Sequence, residues 1–332
     1  MTMVGKDDIV LGLRSLGLTT GERVLVHSSL PAIGTVDGGA ETVIDALLEA
    51  VGPRGLVVVP TFGGPQPFDR RTTPTTLGAI AERFWRRPGA VRSLHPTHSV
   101  AAIGEGAEEL IRDHEKAPTA YAEGTPYHRL TQEGGKILLM GVDQDRNTTL
   151  HTAEALSGAV YLTSVQGTYI DDSGRSVTIH IDAMAGPHRD FIGLDRLFRE
   201  RGVTRMGRIG KAVCRLMDAR MMLDVALEAL RRDPAAVLCD NPACSDCVLQ
   251  RGKIKAARLA EEDFTLAADF GEIIHNEDFD EVVEAIKGEG ISAVEITAGC
   301  YRQYGEALDA HGISVVAVQA PPYDTEAAEL AA

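Results

Sequence analysis

Asn147-Thr-Thr-Leu-His151-Thr-Ala-Glu154 sets an imidazole and a carboxylate three residues apart, shortly after the apolar run Lys136-Ile-Leu-Leu-Met-Gly141. An imidazole takes up a proton near neutral pH, and a carboxylate beside it can fix its tautomer and stabilise its charged form. The run reads as a buried strand that stops at Gly141, then a loop, then a helix capped by Asn147 or Thr148. His151 falls in the first turn and Glu154 on the same face one turn on. Such a pair at a strand's carboxyl end can deprotonate a nucleophile. It also suits a purely structural helix start.

Other segments offer binding chemistry. The loop from His27 to Gly39 carries Ser28, Ser29 and three glycines between a strand and a helix. Backbone N–H groups and a positive helix end there suit a phosphate. The loop lacks the Gly-Lys-Ser/Thr of a Walker loop and the Gly-x-Gly-x-x-Gly spacing. His27, His95 and His98 form no His-x-x-x-His pair, so no metal is expected at them. Asp143, Asp145, Asp182 and Asp190 lie in loops flanking His151, where they can pair with ammonium groups or stay solvated. Cys214, in Ala-Val-Cys-Arg-Leu, reads as part of an apolar helix face, where a free thiol is inert packing. Cys239, Cys244 and Cys247 have x4 and x2 spacing but no obvious fourth ligand, since Cys214, His275 and Cys300 are distant. Structural zinc is therefore the lesser alternative to reduced cysteines in a tight loop.

The elements that must position these groups alternate. Strands at 23–26, 56–60, 99–103 and 137–140 alternate with helical spacing at Val43, Ile44, Leu47, Leu48 and Val51, and at Leu77, Ile80, Ala81 and Phe84, which points to an α/β fold. Segments 160–166 and 176–181 flank the turn Asp171-Asp-Ser-Gly174, and helices resume at 191–201 and 218–231. Two domains are expected: residues 1–235, and 236–332 comprising the cysteine-rich junction and a small βαβαβ unit of unknown role. With 44% hydrophobic and 24% charged residues the composition is globular, not disordered. A formal charge of −15 argues against nucleic acid and favours a cationic partner. No signal peptide is apparent and no run approaches the roughly 20 apolar residues of a membrane span. The five cysteines do not form a secreted framework, so a cytoplasmic protein is expected.

Val26-His27-Ser28-Ser29-Leu30 with Ile33-Gly34, Gly38-Gly39-Ala40, Val59-Pro60-Thr61-Phe62, His95-Pro96-Thr97-His98-Ser99, Thr125-Pro126-Tyr127, Leu138 to Gly141 and Asn147 to Glu154 occur in the order seen in one family. From about residue 6 to about residue 232 the chain resembles the aminoglycoside 3-N-acetyltransferases. These enzymes use acetyl-CoA to acetylate an amine of the 2-deoxystreptamine ring, an antibiotic-resistance modification. The resemblance implies a three-layer α/β acetyltransferase core with the βαβαβ unit as an addition. It implies acetyl-CoA contacts at Ser28, Ser29, Leu30, Ile33, Gly34, Thr97, His98 and Ser99. His151 would be the general base oriented by Glu154, and the amine would attack the thioester directly. Thr148, Thr149 and the helix-start N–H groups are candidates to hold the oxyanion. Asp143, Asp182, His188 and Asp190 would face the cationic substrate. Another small amine as acceptor, or a coenzyme A-binding relative without turnover, are the alternatives.

Overall fold

The structure is a computed structural model that describes residues 3–184, 188–261, 279–288, 293–297 and 305–319. The chain divides into two compact units, Met1–Lys253 and Ile254–Ala332. Cys239, Cys244 and Cys247 thus fall in the first unit, whereas residue 236 is where composition places the start of the second.

The first unit runs α1 (Lys6–Leu16), β1 (Arg23–Ser28), α2 (Leu30–Ile33), α3 (Ala40–Val51), β2 (Leu56–Pro60), α4 (Ala79–Trp85), β3 (Val91–Arg92), β4 (Val100–Gly104), α5 (Ala107–Ile111), α6 (Pro126–Gln132), β5 (Lys136–Met140) and α7 (Leu150–Leu156). It continues with β6 (Leu162–Ile170), β7 (Ser176–Met184), α8 (Gly193–Glu200), β8 (Thr204–Ile209), β9 (Ala212–Asp218), α9 (Ala219–Arg232) and the start of α10 (Ser245–Glu261). Seven strands form one sheet in the order β3-β4-β2-β1-β5-β9-β8. The three central strands are parallel, and β4 and β9 flank them antiparallel.

The central strands are apolar on both faces, as strands covered on two sides must be. Val24, Val26, Val57, Val59, Leu138 and Met140 pack into one core with α1, α3 and α4. Leu25, Leu56, Val58, Ile137 and Leu139 point the other way, into a second core with helices α5 to α9. The period of two along each strand therefore builds three layers. Each fully buried leucine, isoleucine or valine contributes roughly 1.5–3 kcal/mol. α3 illustrates the helical side: Val43, Ile44, Leu47 and Val51 are buried at helical spacing, and Gly52 ends the helix at φ +66°.

The topology selects the ligand position. From β1 the chain crosses through α3 to β2 on one side, and it later returns to β5 on the other side of β1. A crevice opens where such crossovers diverge, beyond the carboxyl ends of the parallel strands.

One expectation is overturned. Cys214 lies in strand β9, where its backbone pairs with Met140 of β5 and Gly207 of β8. A short apolar run cannot be assigned to strand or helix by periodicity, and the β8–β9 hairpin was not legible. The other hairpin, β6–β7, forms as expected, with Asp171 Oδ1 accepting from the Ser173 and Arg175 amides across the turn. The second unit contains α11 (Phe279–Gly288), a helix at 305–310, and the parallel pair β10 (Ala293–Thr297) and β11 (Ser314–Gln319). The strand expected at 264–270 lies outside the described residues. Among the described residues no helix is long and apolar enough to cross a membrane.

Candidate active site

The β5 strand ends at Met140, and Gly141, at φ +72°, turns the chain toward α7. The intervening loop is fixed from below. Asp143 accepts from the Gln144 amide and pairs with Arg215 of β9 at 2.7 Å. The buried Gln144 amide group meets Asp195 and Asn147, and Asn147 also reaches Met222. On this scaffold α7 starts one residue later than expected: Thr149 is its N-cap and makes no side-chain capping bond.

His151 is the second residue of α7, and its Nδ1 is 2.5 Å from Glu154 Oε2. Its ring lies between Tyr121 and Phe191, at centroid distances of 5.0 and 4.9 Å. Glu154 is fully buried and has three partners: His151, Arg189 Nε at 2.6 Å and the Tyr161 hydroxyl at 2.8 Å. Burial pushes its carboxyl up, but the neighbouring His151 and Arg189 outweigh burial and hold it below the usual carboxylate range. An ionised carboxylate only accepts hydrogen bonds, so the shared proton sits on His151 Nδ1 and the Nε2 lone pair is left for a substrate.

A cleft of about 870 Å³ opens beyond the strands, lined by His151, by Val26 to Pro31 after β1, by Val59 and Pro60 at the end of β2, and by Asp145 to Thr148 after β5. This is the crevice the topology predicts, and its volume suits a sizeable ligand. Ser28, Ser29, Leu30, Thr97, His98 and Asp182 line it, joined by Asp145, Tyr121 and Phe191. Two segments far apart in sequence, the loop after β1 and the turn before β4, thus line the same cleft as His151. The turn is built on His95, whose Nδ1 accepts from the His98 amide at 3.1 Å while Thr97 Oγ1 contacts His98 Nδ1 at 3.0 Å. Burial, reinforced by His151 and His114, pushes the His98 imidazole down to about 3, so it is neutral at the cleft wall.

Several expected contacts lie elsewhere. Ser99 is fully buried and bonds Thr61, and Ile33 is core. The Ser29 amide donates to Met140 C=O and the Gly34 amide to Pro31 C=O, so the loop presents hydroxyls rather than those two N–H groups. The amides of Thr148, Leu150, His151 and Thr152 are likewise bonded within the helix start, which removes them as oxyanion donors. Asp143 is held by Arg215 outside the cleft, and Asp190 accepts from the Gly193 amide at the start of α8. His188 sits away from the cleft, with Nδ1 3.2 Å from Cys247 Sγ. The Arg189 and Tyr161 contacts to Glu154 had no local signal, because 35 and 7 residues separate them from it and only the fold joins them.

The family described as aminoglycoside 3-N-acetyltransferase matches residues 25–231. An aminoglycoside N(3)-acetyltransferase IV from Salmonella sp is 35% identical over 239 residues, covering 70% of this chain and 90% of that protein. A crystal structure of a mutant of aminoglycoside acetyltransferase AAC(3)-IVa in complex with gentamicin superposes with a TM-score of 0.71 at 32% identity, over 76% of this chain and 98% of that one. A binary complex of AAC-IIIb with CoASH superposes with a TM-score of 0.64 at 26% identity, over 70% and 97% of the two chains.

Proposed function

The chain belongs to the aminoglycoside 3-N-acetyltransferase family, and from that premise we propose how its own residues perform the transfer. It is an acyltransferase that moves acetyl from acetyl-CoA to the 3-amine of a 2-deoxystreptamine aminoglycoside. The single observation that carries the mechanism is the 2.5 Å contact from Glu154 to His151, which lines a cleft shared by both expected binding segments.

An ammonium group has no lone pair to attack with, so proton removal comes first. His151 Nε2 takes a proton from the bound amine while its Nδ1–H stays on Glu154, which stabilises the imidazolium that forms. The freed amine lone pair makes the new N–C bond at the thioester carbonyl, and the C–S bond breaks with the electrons leaving on sulfur. The imidazolium then returns its proton to the thiolate, and the second proton of the acylated nitrogen passes to solvent, which leaves a neutral amide and a free thiol. Acetyl-CoA supplies the activated acyl group, and Ser28, Ser29, Thr97 and His98 are the polar groups that line its side of the cleft. Asp182 lines the same cleft and suits a polycationic acceptor, whereas Asp145, also on the lining, is paired with Arg146 at 3.2 Å. The alternative of a covalent acetyl-enzyme at Cys214 finds no support, since burial pushes that thiol up to about 11. The machinery lies in the first compact unit, which takes in the proposed 1–235 transferase domain. A reducing cytoplasm suits Cys214, Cys239, Cys244 and Cys247, the cysteines among the described residues, which are unpaired.

The test is thiol release from acetyl-CoA with a panel of aminoglycosides and simple amines, followed by locating the acetyl group by NMR. Turnover confined to 2-deoxystreptamine compounds, with the product acetylated at the 3-amine, is expected. Acetylation of a different amine, or turnover with simple amines alone, would refute the substrate assignment.

A further inference from the structure

Away from the cleft, four metal-type ligands converge. Cys239 and Cys244 come from the segment after α9, Cys247 from the first turn of α10, and His188 from the connection between β7 and α8. Their ligand atoms all lie within 4.8 Å of one another. From His188 Nδ1 the distances to Sγ of Cys247, Cys244 and Cys239 are 3.2, 3.4 and 3.9 Å. A tetrahedral zinc ion with bonds of about 2.3 Å to sulfur and about 2.0–2.1 Å to nitrogen sets ligand separations of roughly 3.6–3.8 Å. The three nitrogen–sulfur distances bracket that separation, all four atoms are close enough to share one ion after small side-chain adjustments, and none of these cysteines is in a disulfide.

We infer that His188, Cys239, Cys244 and Cys247 form a closed Cys3His site for one structural zinc ion. Thiolate and imidazole ligands select a soft or borderline cation over magnesium or calcium. Four protein ligands fill a tetrahedral shell and leave no position for substrate, so the ion holds structure rather than doing chemistry. On binding, each Sγ–H bond gives its proton to solvent as an S–Zn bond forms, and His188 contributes the Nδ1 lone pair. No electron is transferred. The sequence reading lacked this fourth ligand because His188 is 51 residues before Cys239.

The location gives the ion a task. His188 N–H donates to Asp246 Oδ2 at 3.2 Å, and the Asp190 amide donates to Val237 C=O at 2.8 Å, so two segments distant in sequence are already laced together. Between them Arg189 extends to Glu154. A metal bond at His188 would fix the residue that precedes Arg189 in the chain.

The experiment uses the full chain, prepared without a polyhistidine tag and dialysed against metal-free buffer with a thiol reductant. One zinc per chain by elemental mass spectrometry is expected, with Cys244→Ser and His188→Ala each losing most of it. Cobalt in place of zinc should show thiolate charge transfer and the d–d bands of tetrahedral coordination. Zinc should also shield three thiols from an alkylating reagent, and chelation should expose them. Should the variants fail to fold, the cobalt spectrum and thiol protection of the wild-type chain decide alone. Sub-stoichiometric zinc with reduced thiols, an octahedral cobalt spectrum, or equal thiol reactivity with and without zinc would each overturn the site.

Discussion

Glu154 has no water-facing surface, and its charge is held by one imidazole, one guanidinium and one phenol. Removing the charge while keeping the shape separates its two duties. Glu154→Gln removes the buried carboxylate that pairs with Arg189 Nε, and breaking a buried ion pair of this kind costs about 3–5 kcal/mol. It also offers His151 Nδ1 an amide that can donate, which favours the wrong tautomer. We expect turnover to fall by roughly 10²–10⁴-fold and denaturant unfolding to shift to a lower midpoint. Tyr161→Phe is the control, because it takes away one hydrogen bond and no charge, at about 1–2 kcal/mol, with turnover reduced far less. Equal effects of the two substitutions on turnover would mean that Glu154 serves packing alone.

At the scale of elements, the loop after β1 packs against the turn that leads from β5 toward α7. A Cβ at Gly141 would come within 2.5 Å of Ala32 Cβ and 3.2 Å of Ala212 Cβ, and its φ of +72° already disfavours a side chain. Gly141→Ala must therefore displace α2, which carries Leu30 and follows Ser28 and Ser29. We expect the KM for acetyl-CoA to rise several-fold with a smaller change in the KM for the aminoglycoside, measured by steady-state kinetics. Equal rises in both would show that α2 does not serve the donor side. Much of this layer was legible in the chain: the apolar runs at Leu56 to Pro60 and Ile137 to Met140 are strands, and the spacing of Val43, Ile44 and Leu47 is a helix. Local pattern could not say that Ser99 faces Thr61 inside the core, or that the helix-start amides are already bonded. Those facts depend on where neighbouring backbone lies. Cys214 was misread for a related reason, since a half-buried strand and a helix face share the same apolar composition over seven residues.

At the scale of the molecule, a chain of formal charge −15 keeps several imidazoles neutral in its interior. Burial pushes His27 down to about 3, and burial, resisted by a bond to the Ala120 carbonyl, leaves His114 at about 4. Each has its folded value below the unfolded one of about 6.5. The stability tied to them is therefore complete above pH 6.5 and is lost as pH falls from 6.5 toward 4, because only the unfolded chain takes up the protons. Each buried imidazole removes at most about 1.4 kcal/mol per pH unit in that window. We expect the Tm to be nearly flat from pH 8 to about 6.5 and to fall steeply below it, with His114→Gln flattening the slope. A Tm independent of pH down to about 4.5 would contradict the neutral interior.

The most direct test of the account is the pH profile of kcat/KM for wild type and His151→Ala, with acetyl-CoA affinity measured alongside by calorimetry. The predicted result is a turnover loss of roughly 10²–10⁴-fold, disappearance of the acid limb, and unchanged acetyl-CoA binding. A variant that keeps wild-type turnover and the same acid limb would remove His151 from proton transfer and contradict the mechanism at its centre.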